Sequence, residues 1–452
     1  MDKNMTTSLR VVMGLFALSL LALTVTGLPV YSRLSYLWGF LLVGSRLWAA
    51  LALRGVQVQR KARIRRAQVG QTFQKRPEIQ NDRRAQVGQI FQERFEIQND
   101  SRLPRLWLEV RDQSALPGAQ GSRVLAMIRG RQRRSYRART RLVQRGVFPL
   151  GPTVLASEDP FGLFPVSRIM PPDVSLLVYP ITVEVRAFHS PPGLLPGGEA
   201  LRCRTHQVTP NVAGVRDYAP GDSLNRIHWV STARQERLMV KEFELDPLAE
   251  VWVFLDAARE VQSTLPYSPP DLAVDALLHP LEEVVLPPST EEYAVSIAAS
   301  LGRYFLQRGR AVGLVSCGQS QSPSVLPPDR GGRQLGKVLE AMALLRAVGD
   351  LPISALVAAR ARHLPRGSTV ILITPSVREE VALTVDHLLR RGLRPVVVLL
   401  DAASFGGPPG TEALTTAITA LGAPVCQIAN GADLGTVLSE MAEDLVIRWG
   451  QR

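Results

Sequence analysis

The chain has 452 residues, of which 46% are hydrophobic and 21% charged, and this length allows two or three domains with cores of their own. Its net charge of +13 is unevenly spread, because residues 251–452 have a balance of −3 and residues 1–250 a balance of +16. A partner for the basic charge is therefore expected in the N-terminal half. Three cysteines, Cys203, Cys317 and Cys426, exclude a disulfide framework and indicate reduced, cytoplasmic packing cysteines.

Two apolar segments lie near the N-terminus. Residues 11–28 carry no charge and residues 34–53 carry only Arg46, and each has about the ~20 residues that a helix needs to cross a bilayer. We predict that residues 1–56 form a transmembrane helical hairpin with its turn at residues 29–33. A cleaved signal peptide is disfavoured because a second apolar segment follows the first at once.

Positive charge predicts how this hairpin is oriented. Its turn carries only Arg33, whereas basic residues crowd its two outer ends. These outer residues are Lys3, Arg10, Arg54, Arg60, Lys61, Arg63, Arg65 and Arg66. The positive-inside rule then predicts a two-pass protein of the bacterial cell membrane, with both termini and all residues after 56 in the cytoplasm. Arg46 either snorkels to the interface or pairs with another helix.

A tandem duplication follows the hairpin. Residues 65–82 and 83–100 are identical at 15 of 18 positions, and two copies are too few for a solenoid. Pro77 in the first copy replaces Phe95 of the second, and proline interrupts strand pairing. We therefore interpret residues 57–82 as a basic juxtamembrane segment in which the first copy is a spacer.

Residues 83–190 consist of short strand-like segments separated by turn residues, and this spacing predicts a small antiparallel β-sandwich. Examples of the segments are residues 124–128, 136–142 and 152–156. Arg137, Arg139 and Arg141 alternate along one of them. They indicate either a solvated strand face or a contact with anionic lipid headgroups. Nucleic acid is not expected, because no known binding motif accompanies the arginines.

Residues 191–248 combine a hinge-like loop with the most strongly patterned stretch of the chain. Pro220 and Gly221 predict a tight turn, and the apolar spacing beyond them predicts a strand or a short helix with one apolar side. Trp229 is expected to be buried there. Charged residues of the stretch are expected to form a partly buried ion-pair network around the turn. They are Arg216, Asp222, Arg226, Arg234 and Lys241.

This stretch resembles the signature of the bacterial family called domain of unknown function fifty-eight, which reads R-x-Y-x-x-G-D, then I-x-W, then A-R. The matching positions are Arg216, Tyr218, Gly221, Asp222, Ile227, Trp229, Ala233 and Arg234. A second match is the motif formed by Asp159, Pro160, Phe161 and Gly162. The resemblance runs from about residue 65 to the C-terminus. It implies a membrane-anchored protein with a C-terminal von Willebrand factor A-like domain.

Residues 249–452 alternate between strand-like and helical segments. An apolar run at residues 251–255 ends in Asp256, which is the form of a buried parallel strand, and the repetition predicts a doubly wound α/β domain. The family resemblance implies a von Willebrand factor A-like fold, in which an Asp-x-Ser-x-Ser motif holds magnesium. Residues 256–260 read Asp-Ala-Ala-Arg-Glu instead. We therefore interpret Asp256 as the remnant of a degenerate site and expect no metal.

Together these segments predict an α+β multidomain protein, and we expect no catalytic residues, no cofactor and no small-molecule substrate. The resemblance implies a scaffold or adaptor on the cytoplasmic face of the membrane that partners a MoxR-type AAA+ ATPase. The alternative is an unrecognised membrane-bound hydrolase that uses Asp222, His228 and Tyr218 in a cleft between domains. Convergence of these three side chains on an open pocket is the observation that separates the two hypotheses.

Overall fold

The computed structural model divides the chain into two compact units, the first ending at Tyr179 and the second beginning at Pro180. The first repeat copy at residues 65–82 and the hinge loop at residues 191–198 lie outside the described residues. The structure describes residues 7–64, 84–119, 121–172, 174–188, 204–205, 212–218, 227–244, 250–267, 286–319 and 322–440.

Two apolar helices open the first unit, α1 (Thr7–Thr26) and α2 (Pro29–Ala52), and both are long and apolar enough to cross a bilayer. Their connection is shorter than predicted. Gly27 adopts a φ of +68° after α1, and Pro29 is the first residue of α2, a position that suits the fixed φ of proline. Between the helices Ser19 and Ser35 share a buried hydrogen bond of 3.0 Å, the kind of polar contact that holds apolar helices together. We call this pair of helices the apolar hairpin.

In the rest of the first unit, the described residues form strands in three small sheets, ordered β1-β3-β6, β2-β10-β7 and β5-β4-β8-β9. All neighbouring strands are antiparallel except β2 and β10, as expected for a mainly antiparallel sandwich. The strands are β1 (Val56–Ile64), β2 (Arg84–Gln86), β3 (Ile90–Asn99), β4 (Arg105–Asp112), β5 (Arg123–Ile128), β6 (Arg133–Arg141), β7 (Gly146–Pro149), β8 (Thr153–Ser157), β9 (Val166–Met170) and β10 (Ser175–Tyr179).

Strand β1 corrects the prediction that residues 57–64 belong to a basic juxtamembrane segment, whereas the spacer predicted at residues 65–82 lies outside the described residues. Strand β1 pairs with β3 along its whole length, from Val56 opposite Asn99 to Ile64 opposite Phe91. Its Arg60 donates to the carboxylates of Glu93 (2.5 and 2.7 Å) and Asp112 (2.9 and 3.0 Å). The sandwich therefore continues directly from α2, and the basic residues of the predicted juxtamembrane segment include an arginine whose side chain is only 12% exposed and is paired with two carboxylates.

The predicted arginine face is present on β6. Tyr136, Ala138 and Thr140 are buried, whereas Arg137 and Arg139 between them are exposed. Alternate residues of a strand point to opposite faces, so these two arginines lie on the outer face of the sheet. Whether that face meets water or lipid stays a prediction.

Two arginines fix the sandwich to the end of the apolar hairpin. Arg105 donates a hydrogen bond to the carbonyl of Arg54 (2.6 Å), and Arg168 donates to that of Leu53 (3.0 Å). The last carbonyls of a helix lack partners within the helix and carry its negative dipole end, so cations bind them favourably. Leu53 itself is part of the sandwich core. The hairpin and the sandwich are thus one body.

The second unit begins earlier than predicted, because residues 181–188 do not continue the sandwich. Val185 and Phe188 are buried in the core of the second unit, where the backbone N–H of Phe188 donates to the Tyr304 hydroxyl at 3.0 Å. A small sheet of order β11-β13-β12 follows and contains the signature stretch. Its elements are β11 (Arg204–Thr205), β12 (Val212–Asp217), α3 (Trp229–Gln235) and β13 (Met239–Glu244).

A six-stranded sheet of order β16-β15-β14-β17-β18-β19 forms the rest of this unit. Strand β16 is antiparallel to its neighbour, and the other pairs are parallel, which confirms a parallel-rich sheet. Its elements are β14 (Val251–Leu255), α4 (Thr290–Gln307), β15 (Val312–Ser316), β16 (Ser324–Asp329), α5 (Gly331–Leu344), α6 (Ile353–Ala361), β17 (Thr369–Thr374), α7 (Glu380–Arg390), β18 (Arg394–Leu400), α8 (Thr411–Ala420), β19 (Val425–Ile428) and α9 (Leu434–Glu440).

Helices cover both faces of this sheet. On β14, Val253 belongs to a core cluster with residues of α4, α5 and α9, whereas its neighbours Trp252 and Phe254 belong to a second cluster with residues of α6, α7 and α8. Burial on both faces explains why the parallel strands read as continuous apolar runs.

Candidate functional site

The signature stretch folds as a strand, a short helix and a second strand. Strand β12 pairs antiparallel with β13, with Arg216 opposite Val240, and Ile227 forms a further bridge to Val240. Both apolar partners of this bridge are buried. Thr232 accepts a hydrogen bond from the backbone N–H of Met239 at 3.0 Å, so the helix α3 is attached to the strand that follows it.

Trp229 was expected to be buried, and this prediction is wrong. Its side chain is 67% exposed, and its neighbours Val230 (58%) and Leu238 (44%) are exposed as well. A helix of seven residues has only two turns, and none of the residues of α3 is buried. We call Trp229, Val230 and Leu238 the signature patch.

The remaining signature residues are only partly accounted for. Tyr218 is half-buried, and its backbone N–H donates to the carbonyl of Leu238 at 2.9 Å. Ala233 and Arg234 are exposed, so Arg234 is not part of a buried network. Gly221 and Asp222 lie outside the described residues, and the predicted partnership of Asp222 with an arginine stays a prediction.

An ion pair that the sequence did not reveal lies in the same sheet. Arg237 donates to Asp217 at 3.1 Å, with both side chains 61% exposed. Their spacing along the chain gave no signal, because only the pairing of β12 with β13 brings them together. An exposed pair contributes about 0–1 kcal/mol, so it shapes the surface charge more than the stability.

His228 is the N-cap of α3. Its Nδ1 accepts a hydrogen bond from the backbone N–H of Ser231 at 3.3 Å and lies 2.7 Å from the Ser231 hydroxyl. A cap of this kind satisfies a backbone donor that the helix leaves unpaired. Within the described stretch, no carboxylate hydrogen-bonds the other ring nitrogen, as a serine–histidine catalytic pair would require. The geometry supports the structural role of His228.

The second family motif forms a fixed loop in the first unit. The carboxylate of Asp159, which is 1% exposed, accepts hydrogen bonds from the backbone N–H groups of Phe161 (3.0 Å) and Phe164 (2.7 Å). Gly162 has a φ of +67°, a conformation that favours glycine. Phe161 is 61% exposed. The aspartate and the glycine thus hold a rigid turn that presents an aromatic side chain to the surroundings.

Asp256 lies at the point where the order of the large sheet reverses. The chain leaves β14 for β15 on one side and returns to its other side at β17, so the crevice at the carboxyl ends of β14 and β17 is where sheets of this type bind ligands. Asp256 follows β14, and Thr374 ends β17. The Thr374 hydroxyl donates to the Asp256 carboxylate at 2.6 Å, and the backbone N–H of Ala258 donates to its other oxygen at 3.2 Å.

These residues do not fit a divalent metal. Burial raises the pKa of Asp256 to about 6, although the hydrogen bond from Thr374 and the charge of Arg378 act in the opposite direction. Hard cations need several oxygen ligands, and a neighbouring arginine repels them. Nowhere in the described ranges do three or more His, Cys, Asp or Glu side chains form a group that could hold a metal.

The raised pKa of Asp256 predicts a pH-dependent stability. The pKa of Asp256 is about 6 in the folded state and 3.8 in the unfolded chain. The buried carboxylate charge therefore destabilises the folded state by roughly 3 kcal/mol at pH 8. This penalty shrinks as pH falls through 6 and disappears below 3.8. At pH 8 we expect Asp256→Asn to unfold at a higher temperature than the wild type. The substitution removes the charge penalty, and this gain exceeds the cost of about 1 kcal/mol for rearranging the hydrogen bond.

Calorimetry of the detergent-solubilised chain measures this difference. At pH 5 the penalty falls to about 1.6 kcal/mol, so the stability gap between Asp256→Asn and wild type should narrow to roughly a third of its value at pH 8. Glu412→Gln, at an exposed position of α8, is the matched control and should leave the pH profile unchanged. A gap of equal size at both pH values would contradict the account.

The fold thus defines a two-unit protein in which an apolar hairpin carries a β-sandwich and a separate unit carries a parallel-rich sheet with the signature patch. Residues 214–268 match the model of the family described as "Protein of unknown function DUF58". This range contains the signature but not the Asp159 motif.

Two known proteins are similar to the chain. The uncharacterized protein YeaD of Bacillus subtilis (strain 168) is 26% identical over 217 residues, which cover 47% of this chain and 46% of YeaD. The chain therefore matches about half the length of that relative. The crystal structure of conserved hypothetical protein BatB from Bacteroides thetaiotaomicron has 13% identity and a TM-score of 0.29, covering 44% of this chain and 99% of BatB. That TM-score is too low to support a conclusion about fold.

Proposed function

We propose that the protein is a membrane-anchored scaffold of the DUF58 family, with a von Willebrand factor A-like second unit and with its soluble parts on the cytoplasmic face. The anchoring is supported by the exposure of the apolar hairpin. Only 11% of the apolar window of α1 and 17% of that of α2 are buried, whereas the core helix of a soluble protein would bury most of its apolar surface. Lipid is the environment that covers such helices.

The signature patch is the observation that carries the scaffold function. Trp229 and Val230 begin a helix whose register is fixed by the His228 cap and by the Thr232 contact with β13. An exposed tryptophan on a rigid support is the type of side chain that dominates protein–protein contacts. The best supported function of the patch is therefore to bind another protein.

The partner that we propose is a MoxR-type AAA+ ATPase. The support for it is the family resemblance of the signature, because such ATPases accompany von Willebrand factor A proteins. The anchored chain would hold the ATPase at the membrane, with the signature patch as its docking surface.

Affinity capture tests this function. A tagged full-length chain, expressed in its own host and recovered from detergent-solubilised membranes, should retain an AAA+ ATPase identified by mass spectrometry. A tagged protein containing only the hairpin region of an unrelated membrane protein is the control for contaminants. Recovery of the chain from membranes without any AAA+ ATPase would contradict the proposed partner.

The hydrolase alternative stays a prediction without a supporting observation. His228 caps α3, and Asp222 lies outside the described residues. The backbone N–H of Tyr218 donates a hydrogen bond to the carbonyl of Leu238, which fixes the position of this residue in the sheet. Loss of a hydrolytic activity in His228→Gln protein that still folds is the result that would favour this alternative.

A further inference from the structure

A groove runs along the apolar hairpin on the side of the Asp159 motif. It has a volume of about 830 Å³, within the range of sites that hold a small organic ligand. Its wall spans residues 42–50 of α2, a length of roughly 12 Å along the helix. The lining residues are Leu9, Met13, Phe16, Ala17, Leu20, Leu42, Val43, Arg46, Leu47, Ala50 and Phe164. We call it the hairpin groove.

Arg46 is the one charged residue in this apolar wall. It is exposed, and none of the described residues forms an ion pair or hydrogen bond with it. It stands six positions before Ala52, the last residue of α2, which places its Cα roughly 9 Å from the helix end. A long arginine side chain at this depth reaches towards the headgroup region. The phosphates of anionic headgroups lie in that region, and a guanidinium forms charge-assisted hydrogen bonds with a phosphate.

The end of the hairpin groove nearest the sandwich is preformed. Phe164 contributes to its wall, and its backbone is held by the buried carboxylate of Asp159 at 2.7 Å. Arg168, on the strand that follows this loop, donates to the Leu53 carbonyl at the end of α2 at 3.0 Å. These contacts fix the backbone that carries the Phe164 ring and attach the following strand to the end of α2.

We propose that the hairpin groove binds one anionic phospholipid, and this proposal rests on the proposed membrane anchoring. The acyl chain lies along the apolar wall, and the phosphate accepts hydrogen bonds from the Arg46 guanidinium. A second copy of the chain does not fit this role. The segments Thr7–Thr26 and Pro29–Ala52 contain three arginines and no Asp or Glu, so another hairpin would bring a like charge to Arg46 rather than a counterion.

Native mass spectrometry of the full-length chain in detergent, titrated with phosphatidylglycerol, tests this proposal. The wild type should bind one phosphatidylglycerol, and Arg46→Gln should bind it at least about tenfold more weakly, because a charge-assisted hydrogen bond is lost. Phe164→Ala should weaken binding as well. Arg33→Gln, which removes an exposed arginine of α2 outside the groove, is the matched control and should bind like the wild type.

Two further arms separate the possible occupants. Phosphatidylcholine should bind more weakly than phosphatidylglycerol, and glycerol phosphate, which has no acyl chain, should not compete with the lipid. Equal phosphatidylglycerol binding by wild type and Arg46→Gln would overturn the proposal, and so would an Arg46-dependent dimer without lipid. If the wild type remained in the membrane fraction in either case, the proposed anchoring would stand while the lipid site failed.

Discussion

We expect Trp229→Ala to reduce capture of the AAA+ ATPase by about thirtyfold or more, the loss of about 2 kcal/mol or more that is typical of a central interface tryptophan. The side chain is 67% exposed, so its removal leaves no cavity and should change the stability of the protein by less than about 1 kcal/mol. The measurement is quantitative capture of the ATPase from solubilised membranes by equal amounts of folded wild-type and variant chain.

Leu383→Ala is the matched control for this experiment. Leu383 is 70% exposed on α7, so its substitution also removes an exposed apolar side chain without disturbing a core. It should capture the ATPase as well as the wild type does. Undiminished capture by the Trp229→Ala protein would show that the signature patch does not bind the ATPase.

The second large effect is expected from Arg60→Met, which should destabilise the sandwich by about 3–5 kcal/mol. The carboxylates of Glu93 and Asp112 are 1% and 0% exposed and both bind the Arg60 guanidinium. Without it, two buried carboxylates lie together with no cation. Burial already raises the pKa of Glu93, against the effect of Arg60. The loss should therefore be largest at neutral pH and smaller in acid, where the carboxylates can protonate. Thermal unfolding of the solubilised chain measures it.

Lys61→Met provides the comparison within the same strand. Lys61 is 57% exposed and pairs with Glu96 at 3.0 Å, so its loss should cost less than about 1 kcal/mol. Equal destabilisation by the two substitutions would contradict the buried ion-pair cluster around Arg60 and favour the basic juxtamembrane segment that the sequence predicted.

Arg60 also explains why the first unit was only partly predictable. The apolar hairpin and the strands of the sandwich follow from runs and alternation of apolar residues, which report burial directly. The alternation of Val56 and Val58 in β1 is the same signal, but the adjacent basic residues were interpreted as a juxtamembrane segment. Only the pairing of β1 with β3 places Arg60 beside Glu93 and Asp112, and a linear pattern does not contain that distance.

The sequence predicted where the candidate site lies in the chain, but it did not predict that Trp229 is exposed. The motif located the signature stretch, and the apolar run at residues 251–255 located Asp256. Whether Trp229 faced a core depended on what covers α3, and the short helix gives too few turns for a periodic pattern to decide this. The location of Asp256 was predictable, because a buried parallel strand that ends in an acid already indicates the carboxyl edge of the sheet.

The central proposal is that two apolar helices hold this chain in the membrane, with the sandwich and the second unit in the cytoplasm. Cysteine labelling with a membrane-impermeant maleimide tests it in spheroplasts, with Cys203, Cys317 and Cys426 replaced by alanine. Val30→Cys, 61% exposed at the start of α2, should label in intact spheroplasts. Leu383→Cys, 70% exposed in the second unit, should label only after permeabilisation. Labelling of Leu383→Cys from outside, or release of the chain by alkaline washing, would contradict the account.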